Sequence, residues 1–185
     1  QQVKPSNRAT DTTRQPGSTF KILAAYSAAL DAGGLTLASV QDDAPYTYAG
    51  ANGKSVNNYD RRYRGFTTLR EAITDSINIV TVKTLAQAGV SLGWQYVQEY
   101  GFTTVDSRDM NEALALGGIT QGVSNLELTA AYAAIANQGT YIKPKFYTKI
   151  LDHDGNVLID NTTPESHTVI KDTTAWLLTS AWKML

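Results

Sequence analysis

Residues 14–21 read Arg14-Gln-Pro-Gly-Ser-Thr-Phe-Lys21, so a serine and a lysine stand three positions apart just after a proline and a glycine. An apolar periodic stretch follows and ends at Gly33-Gly34, which predicts a helix from about Ser18 to Ala32. Positions i and i+3 of a helix are neighbours on one face. A serine becomes a good nucleophile when an adjacent base takes its proton. The stretch therefore suggests acyl transfer through Ser18 with Lys21 as base, although the same spacing also fits a capping serine beside a solvated lysine.

Composition limits the classes of function. The chain has 185 residues, 42% of them hydrophobic, which is enough for one buried core and predicts a single domain or a part of one. Its 16 basic and 17 acidic residues are mixed along the sequence and give a net charge of -1, so no nucleic-acid partner is expected. Cysteine is absent, and His153 and His167 are isolated, so the sequence predicts neither a metal nor a cofactor.

Capping signals and apolar periodicity predict five further helices. Thr67 or Thr68 is a candidate N-cap, with Glu71 placed to close a capping box. The predicted helices cover residues 67–76, 78–88, 91–100, 126–136 and 173–185. The alanine-rich fourth helix carries few charges and should be buried on most sides. The fifth has no residue that would end it at Leu185, which leads us to expect that the domain continues.

The β-structure is expected at the periphery. Residues 35–66 are rich in Asp, Gly, Asn, Tyr and Arg and predict a long surface excursion with short strands. Residues 145–151 and 156–159 flank Asp152-His-Asp-Gly155, which is a strong hairpin signal. The predicted fold class is therefore α+β, mainly helical, with peripheral β-hairpins.

A second polar pair, Ser76-Ile-Asn78, lies in an otherwise apolar stretch at the predicted break between two helices. Taken alone, it is an ordinary pair of capping residues. Taken with Ser18-x-x-Lys21, it resembles the first two motifs of serine β-lactamases and penicillin-binding proteins. Longer blocks resemble the transpeptidase domains of penicillin-binding proteins: Leu69-Arg-Glu-Ala-Ile-Thr-Asp-Ser-Ile-Asn78, Leu114-Ala-Leu-Gly-Gly118, Gly122-Val-Ser124, Ala130-Ala-Tyr-Ala-Ala134 and Asn137-Gln-Gly139. The lead-in Arg14-Gln-Pro-Gly17 and the block Thr68-Leu-Arg-Glu-Ala72 are most similar to class A, bifunctional members.

The resemblance implies a D,D-transpeptidase that cross-links peptidoglycan and is a target of β-lactams. Ser18 would be acylated by a stem peptide ending in D-Ala-D-Ala, and Lys21 would be its base. Ser76 would relay a proton and Asn78 would hold a substrate amide. The family acts on the extracytoplasmic face of the bacterial membrane, without a cofactor, and its membrane anchor and glycosyltransferase domain would lie outside these residues.

The family's third motif, Lys-Thr-Gly, is absent, because no lysine after Asn78 is followed by Thr-Gly or Ser-Gly. In the family this motif lies on a strand of the central sheet, downstream of the region that resembles residues 173–185. We therefore expect residues 1–185 to be a partial transpeptidase domain: the helical lobe of a β-lactamase-like fold, with most central strands outside it. By itself the stretch should be weakly active or inactive.

Three alternatives remain open at this point. One is a D,D-carboxypeptidase, and another is a β-lactamase-like serine hydrolase, although the second motif reads Ser-Ile-Asn rather than Ser-Asp-Asn. The third is a non-catalytic helical module that retains the motifs as structure.

A cluster of basic and aromatic residues precedes the second motif and has two interpretations. It could be a packed and solvated loop, which is the favoured reading, or it could bind the substrate strand. Its members are Tyr59, Arg61, Arg62, Tyr63 and Arg64.

Overall fold

The structure is a computed structural model that describes residues 6–49 and 53–182. Within these residues the fold is α+β and mainly helical, as predicted. Its α-helices are α1 Ser27–Asp31, α2 Leu69–Thr74, α3 Asn78–Ala88, α4 Val90–Glu99, α5 Asn125–Ala136 and α6 Asp172–Trp182. None of them is long and apolar enough to cross a bilayer. The last three residues of the predicted helix 173–185 lie outside the described residues.

The segment that carries Ser18 and Lys21 is helical from residue 17 to residue 31, close to the predicted 18–32. It begins as a 3-10 turn, Gly17–Thr19, passes through a π turn, Ile22–Tyr26, and ends as α1. We call residues 17–31 the motif helix. It lies at the centre of the core, because Phe20, Leu23 and Tyr26 are fully buried and α3 and α4 pack against it.

The two helices on either side of Ser76 begin and end as the sequence predicts. Thr68 caps α2, and its side chain and that of Glu71 form the reciprocal hydrogen bonds of a capping box. The third helix spans Asn78–Ala88 and is followed by Gly89, in agreement with the prediction. The residues between them, 75–77, form the break at which Ser76 lies.

The β-structure consists of two-stranded antiparallel sheets throughout the described part of the chain. The strands are β1 Thr13–Arg14, β2 Val40–Asp43, β3 Tyr46–Thr47, β4 Ser55–Val56, β5 Gly65–Thr68, β6 Val123–Ser124, β7 Thr140–Ile142, β8 Lys149–Leu151, β9 Val157–Asp160 and β10 Ser166–Thr168. The pairs β2–β5 and β3–β4 form within the excursion and at its end, and the predicted hairpin forms from β8 and β9. Two further pairs, β1–β6 and β7–β10, tie distant segments together.

The alanine-rich helix α5 is buried or half-buried around most of its circumference, as predicted. The buried residues are Ala130, Ala131, Ala134 and Ile135, and the half-buried ones are Leu126, Glu127, Leu128 and Tyr132. The exposed residues form one stripe along the helix: Asn125, Thr129, Ala133 and Ala136. Helix α6 packs against α5.

The glycine block 114–122 supports the start of the motif helix by close backbone contact. Gly117 adopts a left-handed conformation, φ 72°, and a Cβ there would lie 2.6 Å from both the backbone nitrogen and oxygen of Gly17. Beside it, the Gln15 side chain pairs with the backbone of Ile119, donating to its carbonyl and accepting from its N–H. The segment before Ser18 is therefore held by contacts that leave no room for a side chain at Gly117.

We predict that Gly117→Ala destabilises the fold by about 3 kcal/mol. A left-handed alanine costs about 1–2 kcal/mol, and a backbone overlap adds about 1–3 kcal/mol. Gly34→Ala is the matched control, because Gly34 has the same φ of 72° and open space around it. That control isolates the conformational cost. Urea denaturation measures both variants, and equal losses of stability would contradict the close contact between Gly117 and Gly17.

Candidate active site

A cavity of about 240 Å³ brings together three of the four residues predicted from the motifs: Ser18, Lys21 and Ser76. The motif helix forms one wall, and the end of α2 with the α2–α3 break forms the second. Tyr132 of α5 and Trp182 of α6 contribute an aromatic wall. The two motifs, which are distant in the sequence, thus face the same half-open cavity.

Lys21 is the buried centre of this cavity. Its side chain is 3% exposed, and its Nζ donates to the Ser76 carbonyl at 2.5 Å and to the Ser76 Oγ at 2.9 Å. Burial lowers the pKa of Lys21 from 10.5 to about 8, because the charged ammonium loses hydration. A lysine with this pKa is partly neutral near physiological pH, and the neutral amine has a lone pair that can accept a proton.

Ser18 lies in the first turn of the motif helix, and its side chain is exposed at the mouth of the cavity. Its hydroxyl makes no hydrogen bond to any other described residue. Backbone N–H groups in a first turn have no partner within the helix and are available to donate to an oxyanion. The hydroxyl is therefore accessible to a ligand, on the helix face that also carries Lys21.

Ser76 adopts the left-handed conformation, with φ 52°, which is unusual for a residue other than glycine. This conformation turns the chain between α2 and α3. Both the carbonyl and the hydroxyl of Ser76 accept from Lys21. The contact with the buried ammonium offsets the cost of the strained backbone.

Asn78, the fourth predicted residue, is not among the described residues that line the cavity. It begins α3, and its side-chain Nδ2 donates to the carbonyl of Asn57 at 2.7 Å. Its amide oxygen and second N–H make no hydrogen bond to the described residues, so they can still contact a ligand. The arrangement places Asn78 beside the loop that precedes β5.

Asn58 is a supporting residue that the sequence analysis missed. It is buried, and its side chain accepts from the backbone N–H of Ile79 at 3.1 Å and donates to the carboxylate of Asp43 at 2.7 Å. The first of these bonds satisfies an N–H at the start of α3. Arg64 adds a longer ion pair to Asp75, next to Ser76, at 3.8 Å. Asn57 and Asn58 are adjacent in a polar stretch, and no sequence pattern distinguishes the buried asparagine from the exposed one.

Tyr132 is a second residue that the sequence analysis left without a role. Its hydroxyl donates to the carbonyl of Thr19, two residues before Lys21, and its ring stacks on Trp182 with centroids 4.9 Å apart. Burial raises the pKa of Tyr132, so its hydroxyl keeps its proton. The pair lines the same cavity as Lys21 and Ser76.

The two histidines lie away from this cavity. His167 contacts the carbonyl of Glu99, and His153 lies in the β8–β9 hairpin beside Asp154. In the stretches 6–49 and 53–182, no group of three or more His, Asp or Glu side chains could hold a metal ion.

The sequence matches the family described as "Penicillin binding protein transpeptidase domain" over residues 1–183. Penicillin-binding protein 1F of Bacillus subtilis (strain 168) is 40% identical over 176 residues, which cover 95% of this chain and 24% of that protein. Penicillin-binding protein 1A of Neisseria flavescens is 40% identical over 159 residues, covering 83% of this chain and 19% of that protein. The chain spans about a fifth to a quarter of the length of the curated relatives it matches.

Solved structures show the same fold. The crystal structure of penicillin-binding protein 1A from Haemophilus influenzae superposes with a TM-score of 0.81 at 29% identity, over 95% of this chain and 30% of that chain. PonA1 from Mycobacterium tuberculosis, solved in complex with penicillin V, gives a TM-score of 0.81 at 23% identity, over 96% of this chain and 48% of that one. At the latter identity the likeness concerns the fold alone.

We predict that Asn58→Ala lowers the free energy of unfolding by about 2–3 kcal/mol. The change leaves the Asp43 carboxylate and the N–H of Ile79 with one partner fewer in a buried setting, where each unsatisfied group costs about 1–3 kcal/mol. The matched control is Asn57→Ala, because the Asn57 side chain is exposed and makes no hydrogen bond to the described residues; it should change stability by less than about 0.5 kcal/mol. Chemical denaturation compares the two, and a similar loss in both would show that Asn58 does not anchor α3.

Proposed function

This chain belongs to the penicillin-binding protein transpeptidase family, and on that premise we propose that it contributes the nucleophile and base of a serine D,D-transpeptidase. Its substrate would be a peptidoglycan stem peptide that ends in D-Ala-D-Ala. The observation that carries the proposal is the buried Lys21, whose Nζ contacts Ser76 in a cavity that Ser18 also lines.

The proposed reaction begins when the Ser18 Oγ attacks the carbonyl carbon of the penultimate D-alanine and Lys21 Nζ takes the hydroxyl proton. The peptide C–N bond then breaks. The leaving D-alanine amine receives that proton from Lys21 through the Ser76 hydroxyl. An acyl ester on Ser18 remains. This sequence of transfers requires a base near neutrality, which the lowered pKa of Lys21, about 8, supports.

In the second half of the proposed reaction, an amine of a neighbouring stem peptide attacks the ester carbonyl. Its proton passes to Lys21 and then to the Ser18 Oγ as the ester bond breaks. The products are the cross-linked peptide and the free serine. Asn78 would hold an amide of the substrate through its unengaged amide oxygen and N–H. β-Lactams would acylate the same serine.

The wider setting of this activity is part of the proposal. Peptidoglycan is cross-linked outside the cytoplasmic membrane, so the reaction would take place on its extracytoplasmic face. The residues described here would form part of a transpeptidase domain, and a Lys-Thr-Gly strand would complete the cleft. A membrane anchor and a glycosyltransferase domain would belong to other parts of the protein, since the matched relatives are about four to five times longer.

The alternatives differ in what reacts with the acyl ester. If water attacks the ester, the protein is a D,D-carboxypeptidase or a β-lactamase-like hydrolase. If an amine attacks it, the protein is a transpeptidase. The family match favours the transpeptidase. A non-catalytic helical module would form no acyl ester at all.

We predict that penicillin adds its mass once, at Ser18, to a chain that continues through a Lys-Thr-Gly motif. Residues 1–185 by themselves should react at least about 100-fold more slowly, because loss of a single oxyanion donor already costs about 10²- to 10³-fold. Intact-mass spectrometry with peptide mapping measures the labelling.

Ser18→Ala should abolish this labelling, while Ser91→Ala should leave it unchanged. Ser91 is a suitable control, because it is also exposed in the first turn of a helix, α4, but has no lysine three residues later. Labelling that survives Ser18→Ala would identify another nucleophile. An extended chain that stays unlabelled would support the non-catalytic module.

A further inference from the structure

The loop formed by residues 59–63 projects aromatic and basic side chains into solvent. Tyr59 is 100% exposed and Tyr63 is 52% exposed, and Arg61 and Arg62 are exposed between them. We call these residues the Tyr59–Tyr63 loop. Large aromatic side chains that protrude from a folded chain are a feature of binding surfaces, because they offer contact area at low entropic cost.

The backbone of this loop is held in one shape by short-range hydrogen bonds. Asn58 Nδ2 donates to the carbonyl of Arg62 at 2.8 Å, and the N–H of Arg61 donates to the carbonyl of Asn58 at 3.2 Å. The N–H of Arg62 donates to Asp60 Oδ1 at 3.1 Å. A surface whose backbone is already ordered loses less entropy when a ligand binds.

The loop carries positive charge that its surroundings do not neutralise. Arg64, just after it, is compensated by the carboxylates of Asp43, Asp60 and Asp75. The guanidinium groups of Arg61 and Arg62 make no hydrogen bond or ion pair with the described residues. Two cations therefore remain available for an anionic ligand, and a guanidinium binds a carboxylate with two parallel hydrogen bonds.

The loop is continuous with the second wall of the candidate active site. Asn57, which precedes Asn58, accepts from the side chain of Asn78, and Asn58 accepts from the N–H of Ile79. A ligand held by Asn78 would therefore lie beside the segment that leads into the Tyr59–Tyr63 loop. The same two hydrogen bonds couple the position of the loop to the start of α3.

We propose that the Tyr59–Tyr63 loop is a subsite for the stem peptide, in which Arg61 and Arg62 bind a free carboxylate and Tyr59 packs on the peptide. This inference rests on the function proposed above. A peptide that carries a free carboxylate away from its reacting end has the chemistry that two unpaired guanidinium groups recognise. The net charge of the chain is -1, so the loop is a local cationic feature and does not form part of a basic surface suited to a polyanion.

The test uses the chain extended through a Lys-Thr-Gly motif, with Ser18→Ala, which prevents a covalent step. The ligand is a soluble stem peptide in two forms, with an internal carboxylate free or amidated, and binding is followed by NMR titration. Arg61→Gln with Arg62→Gln should weaken binding of the free-acid form by about three- to tenfold, the effect expected for two exposed ion pairs. Lys149→Gln, which removes one positive charge from the hairpin strand β8, should have no effect.

Two further comparisons isolate the carboxylate contact. Raising NaCl from about 50 to about 500 mM should weaken binding to the parent chain and have little effect on the double variant, because salt screens exposed charges. The amidated peptide should bind the two proteins equally. This last comparison changes only the ligand, so a folding defect in the double variant cannot account for a difference between the two peptides.

Equal binding of the free-acid peptide to the parent and the double variant would overturn the proposal. No difference between the two peptides, or no measurable binding of either, would overturn it as well. These outcomes are separate from a failure of the proposed function, which would appear as an absence of penicillin labelling at Ser18 in the extended chain. Labelling at Ser18 with a loop that discriminates neither peptide would refute the subsite alone.

Discussion

The contact between the Lys21 ammonium and the carbonyl and hydroxyl of Ser76 is the interaction on which the rest of the structure depends. It joins two segments 55 residues apart in the sequence. Burying a cation is costly unless polar groups replace the lost water. Two acceptors from one residue supply that replacement, and this residue has the left-handed conformation, φ 52°, at the break between α2 and α3.

Other parts of the fold keep this contact in place. Gly117 packs on Gly17 without a side chain, and Asn58 ties the start of α3 to Asp43. The aromatic pair Tyr132 and Trp182 closes the third side. The result is an amine held in a fixed position and partly dehydrated, which is the environment that lowers the pKa of a lysine and suits it to accept a proton from Ser18 in the proposed reaction.

Local sequence patterns predicted the parts of the structure that depend on local interactions. The capping box of Thr68 and Glu71, the span Asn78–Ala88 and the β8–β9 hairpin are set by hydrogen bonds and periodicity within a few residues, and the structure confirms them. The family resemblance brought Ser18, Lys21 and Ser76 together as candidates. The π turn in the motif helix and the burial of Asn58 depend on contacts between distant segments. No local pattern could therefore predict them.

The most direct test of this account is the protonation state of Lys21, followed by NMR of lysine labelled with ¹³C at Cε and assigned by comparison with Lys21→Met. The account predicts that Lys21 in the folded chain loses its proton near pH 8 and, once the chain is unfolded, near its ordinary pKa of 10.5. Between these two values the unfolded chain binds more protons than the folded one, so the free energy of unfolding should rise with pH across this window. A folded-state titration near 10.5 would contradict the account, because it would mean that Lys21 is hydrated and not buried against Ser76.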